Sequence, residues 1–184
     1  MYLKRIALIW FLICISGCQS SNYFTQAIFG QLELFRNSKA IEKLLQQHAV
    51  DDETKSQLKK ILKIRNFATQ ELGLKNNKSY LNYSDIKRKY VGWNVFVTPA
   101  LSLEPEQWCF PFAGCVTYRG YFKRNKAKRF LEKKKAEGMD VFLTGVSAYS
   151  TLGWFSDPVL NTFVNYSDID LVRLVFHELA HQIV

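Results

Sequence analysis

Apolar positions recur with helical spacing in the first part of the chain, alternate in its middle and return to helical spacing at its end. After a short tether over 21–25, Phe24, Ile28, Leu32 and Phe35 fall on one helical face. Ser38 is placed to cap a second helix, with Ile41, Leu44, Leu45 and His48 on its apolar side. Asp51 or Asp52 opens a third, which carries Leu58, Ile61, Leu62, Arg65 and Leu72 on or near one stripe, and Gly73 stops it. Beyond Asn76 the period falls to two. Trp93, Val95 and Val97 alternate with Asn94, Phe96 and Thr98 before Pro99, which predicts a strand. A second strand is predicted over 116–122, a helix over 125–137 closed by Gly138, and a short strand over 141–144. The aromatic stretch 147–160, with its Gly and Pro, reads as loop. Ser167 or Asp168 caps the last helix, and Asp168 and Asp170 in its first turn suit the helix dipole. The predicted fold class is α+β, mostly helical with a small sheet.

The first residues are set apart from this pattern. Lys4 and Arg5 precede ten unbroken apolar residues, Ile6 to Ile15, the length of a signal-peptide core and too short to span a membrane. Ser16 and Gly17 then lead to Cys18. This arrangement resembles the bacterial lipobox, which implies cleavage before Cys18 and acylation of its sulfur; an ordinary secretory signal or a buried N-terminal helix is the alternative. Each buried acyl methylene contributes about 0.8 kcal/mol, so several chains hold where one would not. Gln19 in place of Asp resembles a signal destined for the outer membrane if the cell is Gram-negative. The expected location is therefore the cell envelope, lipid-anchored to a membrane, which in a Gram-negative cell is the outer membrane facing the periplasm. Loss of 1–17 removes Lys4 and Arg5 and lowers the formal charge from +9 to +7.

That compartment permits disulfides and changes the meaning of the four cysteines. Cys14 lies in the signal and Cys18 carries the lipid, which leaves Cys109 and Cys115. Pro111 and Gly114 between them favour a tight reversal, and closing so short a loop stabilises by about 2.4 kcal/mol in the chain-entropy model. A metal-binding pair is the alternative, but no other Cys or nearby His completes a site.

With 184 residues and 48% hydrophobic positions the chain can build a core, which excludes wholesale disorder. No run of 18 apolar residues exists, which excludes a multi-span membrane protein. The net charge of +9 invites anionic partners. It concentrates over 123–135, where eight Lys and Arg face one acid, Glu132. A solvated helix face is the simple account; attraction to anionic lipid is the sharper one. Nucleic acid is not expected, because no recognition motif accompanies the charge and an exported protein rarely meets DNA.

The chemistry lies near the C-terminus, in Phe176-His177-Glu178-Leu179-Ala180-His181-Gln182. On a helix, His177 and His181 project from one face about one turn apart, a spacing that lets two ring nitrogens bind one tetrahedral Zn²⁺. Glu178 beside them is placed as general base for a zinc-activated water. Three His and nine Glu in this length yield the pentapeptide by accident in roughly 0.2% of chains. Two surface histidines flanking a Glu are therefore the weaker account. Tyr149, Tyr166 and Arg119 are candidates to polarise a carbonyl or hold a substrate terminus, against simple aromatic packing. The 153–158 segment is a candidate cleft wall, against a structural turn.

Four features together, namely the lipobox, the segment Trp108 to Phe122, the segment Tyr149 to Pro158 and His-Glu-Leu-Ala-His-Gln, resemble the bacterial predicted zinc aminopeptidase lipoproteins. The resemblance implies a zinc-dependent aminopeptidase that hydrolyses peptide bonds, with a zincin-like helix, His177 and His181 as ligands and Glu178 as base. It divides the chain into a signal over 1–17, an N-terminal helical region over 18–75 and a metallopeptidase domain over 76–184. A catalytic zinc has three protein ligands and an open position. In such relatives the third resembles a Glu on a later helix, which does not follow Val184 here, so the expectation is a truncated chain with an incomplete domain. His48, Asp157 and Asp170 are the upstream candidates for that third place. The competing expectation is a non-catalytic envelope lipoprotein, a binding or structural module with a decayed site.

Overall fold

The computed structural model describes residues 18–110, 114–151 and 153–181. The lipobox residues before Cys18 and the Pro111 reversal lie outside the described residues. Among the described residues, no helix is long and apolar enough to cross a membrane.

The chain folds as α+β. Three helices come first: α1 (Cys18–Arg36), then, after strand β1 (Ser38–Ala40), the single-turn α2 (Ile41–Leu45) and α3 (Asp52–Gln70). Strands β2 (Asn82–Ser84), β3 (Gly92–Pro99), β4 (Trp108–Phe110), β5 (Gly114–Val116) and β6 (Arg119–Tyr121) follow. Helix α4 (Arg124–Ala136), strands β7 (Met139–Val146) and β8 (Val159–Leu160), and α5 (Asp168–Ala180) complete it.

The strands form three sheets rather than one. The main sheet has the order β6-β3-β7 and is antiparallel, with Asn94 opposite Thr144 and Gly120. The predicted alternation on β3 holds: Val95 and Val97 are buried against α4 and Tyr121, while Phe96 lies on the other face with Phe142 and Tyr118. A second sheet, β1-β2-β8, pairs Ser38 with Ser84 and sets β8 parallel to β2. A two-stranded ribbon, β4-β5, places Cys109 opposite Cys115.

Several sequence expectations are corrected. Ser38 opens a strand rather than capping a helix, because its backbone pairs with Ser84 before the chain turns into α2. The strand expected over 116–122 is two, β5 and β6, which belong to different sheets. The 147–160 loop ends in β8, whose Val159 and Leu160 are both buried. Two residues carry no period, so this strand had no signal of its own.

The main core draws on both ends of the chain. Leu34, Leu44, Leu58 and Ile61 share one buried cluster with Tyr80, Val159, Phe163, Leu171, Val175 and Leu179. α3 packs against α5, with Phe67 stacked on Phe176 at 6.2 Å and Lys60 paired with Asp168 at 2.7 Å across the exposed edge. Arg65, predicted on the α3 stripe, is buried because its guanidinium caps the following loop. Its Nε donates to the Ser79 carbonyl at 2.8 Å, and Nη2 donates to Asn76 Oδ1 and the Asn77 carbonyl. That loop delivers Tyr80 to the core.

Cys109 and Cys115 are joined by a disulfide across the β4-β5 ribbon. Protein isolated from an oxidising compartment should show neither thiol to an alkylating reagent until a reductant is added. Intact mass before and after reduction checks this, and full alkylation without reductant would refute the bond. By restricting the unfolded chain, the bond contributes about 2.4 kcal/mol of stability.

Candidate functional site

Helix α5 carries the His-Glu-x-x-His run, and local sequence explains why a helix stands there. Ser167 accepts the Asp170 amide at 3.3 Å as N-cap, and its hydroxyl donates to Asp170 Oδ2 at 2.6 Å. Leu171, Val175 and Leu179, spaced by four, are all buried. Their burial fixes the rotation of the helix, and with it where the other side chains point.

His177 and His181 both reach solvent, one turn apart. Their Nε2 atoms approach to 3.0 Å, with ring centroids 4.6 Å apart and planes at 87°. With a proton on one ring the contact is a hydrogen bond. With both Nε2 atoms unprotonated it is a pair of converging lone pairs. Two nitrogens bound at about 2.0–2.1 Å to one tetrahedral zinc stand roughly 3.3 Å apart. The observed separation is close to that, so this donor pair fits the ion.

Glu178 points differently. It is half-buried on the flank of α5. Burial holds its carboxyl above the usual carboxylate range; the neighbouring His177 opposes this and the charge of Asp157 adds to it. Tyr80, fully buried, feels both carboxylates, and its phenol is pushed up chiefly by burial. Asp157 is itself raised by burial, against the Thr151 amide and hydroxyl that donate to it at 3.0 and 2.8 Å. Tyr80, Tyr149 and Asp157 line a small hollow of about 10 Å³, room for about one water, with Leu34, Ala148 and Phe163.

The remaining candidates separate into neighbours of this region and residues occupied elsewhere. Tyr149 borders the hollow, and its hydroxyl donates to Gln31 Oε1. Tyr166 donates to Ser147 Oγ at 2.7 Å. Arg119 stacks over Tyr23 and Phe130, at 4.5 and 4.9 Å. In the 153–158 segment, Asp157 does reach the hollow, while Trp154 and Phe155 face solvent. Of the upstream candidates for a third ligand, His48 lies exposed in the turn after α2. Asp170 is engaged at the N-cap of α5, and Asp157 is engaged by Thr151. No group of three His, Cys, Asp or Glu able to hold a metal occurs among the described residues. Tyr80 carries no signal in the sequence. It sits in the polar stretch after α3 at a positive φ of 61°, and long-range contacts hold it in the core: Arg65 on the Ser79 carbonyl, and its own amide donating to the Asp157 carbonyl at 2.7 Å.

The geometry defines an α+β protein whose last helix presents an imidazole pair outward and a glutamate of raised pKa beside it. A family model described as "Putative aminopeptidase" matches residues 22–184. The match covers nearly the whole chain, which belongs to that family and is, at this level of description, a peptidase. No curated protein and no solved structure matches it.

Proposed function

We propose that this chain is a zinc-dependent aminopeptidase that hydrolyses peptide bonds, with His177 and His181 as zinc ligands and Glu178 as general base. The convergence of the two Nε2 atoms to 3.0 Å on a zincin-like helix is the observation that carries this reading. Zinc bound there supplies a Lewis acid for the scissile carbonyl and makes water a nucleophile near neutral pH. A third donor has to come from outside the described residues, and a carboxylate suits it.

The chain's own residues do the rest. Glu178 takes the proton of the attacking water on its carboxylate and passes it to the leaving amine. A carboxyl held above its ordinary range by burial suits that exchange near neutral pH better than an exposed one. The packed face of α5 fixes the spacing of the three residues along the helix. Acylation at Cys18, at the start of α1, would hold the enzyme to an envelope membrane.

Equilibrium dialysis against zinc tests the ligand assignment independently of turnover. His177→Ala and His181→Ala should each weaken zinc binding by at least tenfold, since each removes a first ligand. Unchanged affinity in both would remove the metal site from this helix.

A further inference from the structure

Arg119 and Tyr121 stand on the face of β6 that α4 covers, since alternate residues of a strand point the same way. The Arg119 guanidinium lies over the rings of Tyr23 from α1 and Phe130 from α4, at 4.5 and 4.9 Å from their centroids, and 5.9 Å from the Tyr121 ring. Ring faces hold the cation in place but offer no oxygen to its N–H groups. Among the described residues no carboxylate pairs with Arg119 and no oxygen accepts from it. Tyr121 repeats the pattern. It is 8% exposed, and its hydroxyl, which solvent reaches, has no hydrogen-bond partner among the described residues. Burial pushes its phenol up to about 12, against the opposing charge of Arg119, so it stays protonated near neutral pH. Tyr23 meets Tyr121 edge-on at 5.6 Å and is likewise raised by burial and opposed by Arg119. A fixed guanidinium and neutral phenols thus meet at one place.

We propose that Arg119, with the hydroxyls of Tyr121 and Tyr23, is a binding site for the carboxylate of a peptide. The ligand class follows from the donors. A guanidinium presents paired N–H groups in its plane, and these match the two oxygens of a carboxylate. Among the described residues Arg119 is the cation that lies over these rings, and phenols add donors without adding charge. The site therefore balances one negative charge rather than the two of a phosphate. The wider field draws an anion in, because α4 packs over this sheet and the region 123–135 carries eight Lys and Arg against Glu132. Glu106 and Glu137, at the far end of α4, are both taken by Lys134, at 2.8 and 3.2 Å, and do not compete. The surroundings are aromatic, with Phe110 stacked on Tyr23 at 5.8 Å and Trp108 against Phe130 at 6.1 Å, which suits a carboxylate borne on an apolar body. The carboxylate is a peptide C-terminus or an acidic side chain. The site belongs to the second core, around β3, β6 and α4, whereas α5 packs in the main one, so it goes beyond the peptidase reading and needs no metal.

The test is calorimetric titration of the protein as its gene encodes it, with zinc and after treatment with a chelator. The probes are an N-acetylated, Phe-containing tetrapeptide with a free C-terminus, the same peptide amidated, an amidated version with an internal Glu, and inorganic phosphate. The acetyl group keeps an aminopeptidase from consuming them. Saturable binding, with a Kd on the order of 1 mM or tighter, is expected for a peptide bearing a carboxylate and not for the amide without Glu. Whether the free C-terminus, the Glu or both bind names the source, and each of these outcomes supports the site. Arg119→Gln should weaken binding by at least about tenfold. Arg119→Lys keeps the charge but loses the paired N–H groups, and Tyr121→Phe keeps the buried ring but loses the hydroxyl. Each should weaken binding by about threefold to tenfold, and circular dichroism confirms that both fold. Equal binding of the acid and amide peptides, no binding of either carboxylate peptide, or parental affinity in the Arg119 variants overturns the proposal. Tighter binding of phosphate than of the peptides overturns the carboxylate assignment. Binding that requires zinc places the carboxylate on a metal instead and also overturns it, whereas binding that persists without zinc stands even if the peptidase reading fails.

Discussion

Glu178→Gln should lower the release of amino-acid amides by about 10²–10⁴-fold while leaving bound zinc unchanged. The substitution keeps the shape and half-burial of the side chain but removes the only atom set that takes the proton from water in the proposed mechanism. It takes away no imidazole. The measurement is turnover together with metal content, on the protein as its gene encodes it. A variant that keeps parental turnover would eliminate Glu178 as base. A variant that loses zinc as well would make it a ligand instead. Because Glu178 is not in the imidazole pair, its effect should also differ from that of His181→Ala, which is expected to lose metal and turnover together.

The second large effect is on stability. Leu171 is fully buried in the main core, on the face that docks α5 against α3. Leu171→Ala should cost about 2–5 kcal/mol, from lost burial and from the cavity left behind. For a chain of this size a loss of about 3 kcal/mol lowers the melting temperature by roughly 6–12 °C. Ile169, two residues earlier and 67% exposed, provides the internal comparison. Ile169→Ala should change stability by no more than about 0.5 kcal/mol. Thermal denaturation of the two variants side by side checks this. Similar losses in both would mean that α5 does not dock as described. A loosened α5 also carries its imidazole pair with it, so Leu171→Ala should weaken zinc binding without touching a ligand.

Much of the candidate site could be read along the chain because its signals are local. A cap at Ser167, apolar residues spaced by four and histidines spaced by four need only helical geometry to become a buried face and an outward pair. The β3 alternation and the end of α4 at Gly138 were legible for the same reason: Gly138 adopts the positive φ of 79° that stops a helix. Element type failed where partners at long range decided it. Ser38 is strand because Ser84 pairs with it, and Val159–Leu160 is strand because Tyr83 and Ser84 do.

By itself, then, the sequence determined the α+β class, the helix that carries His177, Glu178 and His181, and the spacing of those side chains along it. Periodicity and capping act between residues a turn apart, and such interactions survive without knowledge of the rest of the molecule. Only the tertiary structure decided which way faces point. The stripe of Phe24, Ile28 and Leu32 has the spacing of a core face, yet the Gln26 and Gly30 contacts with the β6–α4 connection turn it outward. Likewise the neighbourhood of Glu178, with Tyr80 and Asp157 brought from segments about a hundred and about twenty residues away, exists only because α3, β8 and α5 share one core. Burial and charge at a point in space depend on every element that meets there, and that sum is not written in any one stretch of the chain.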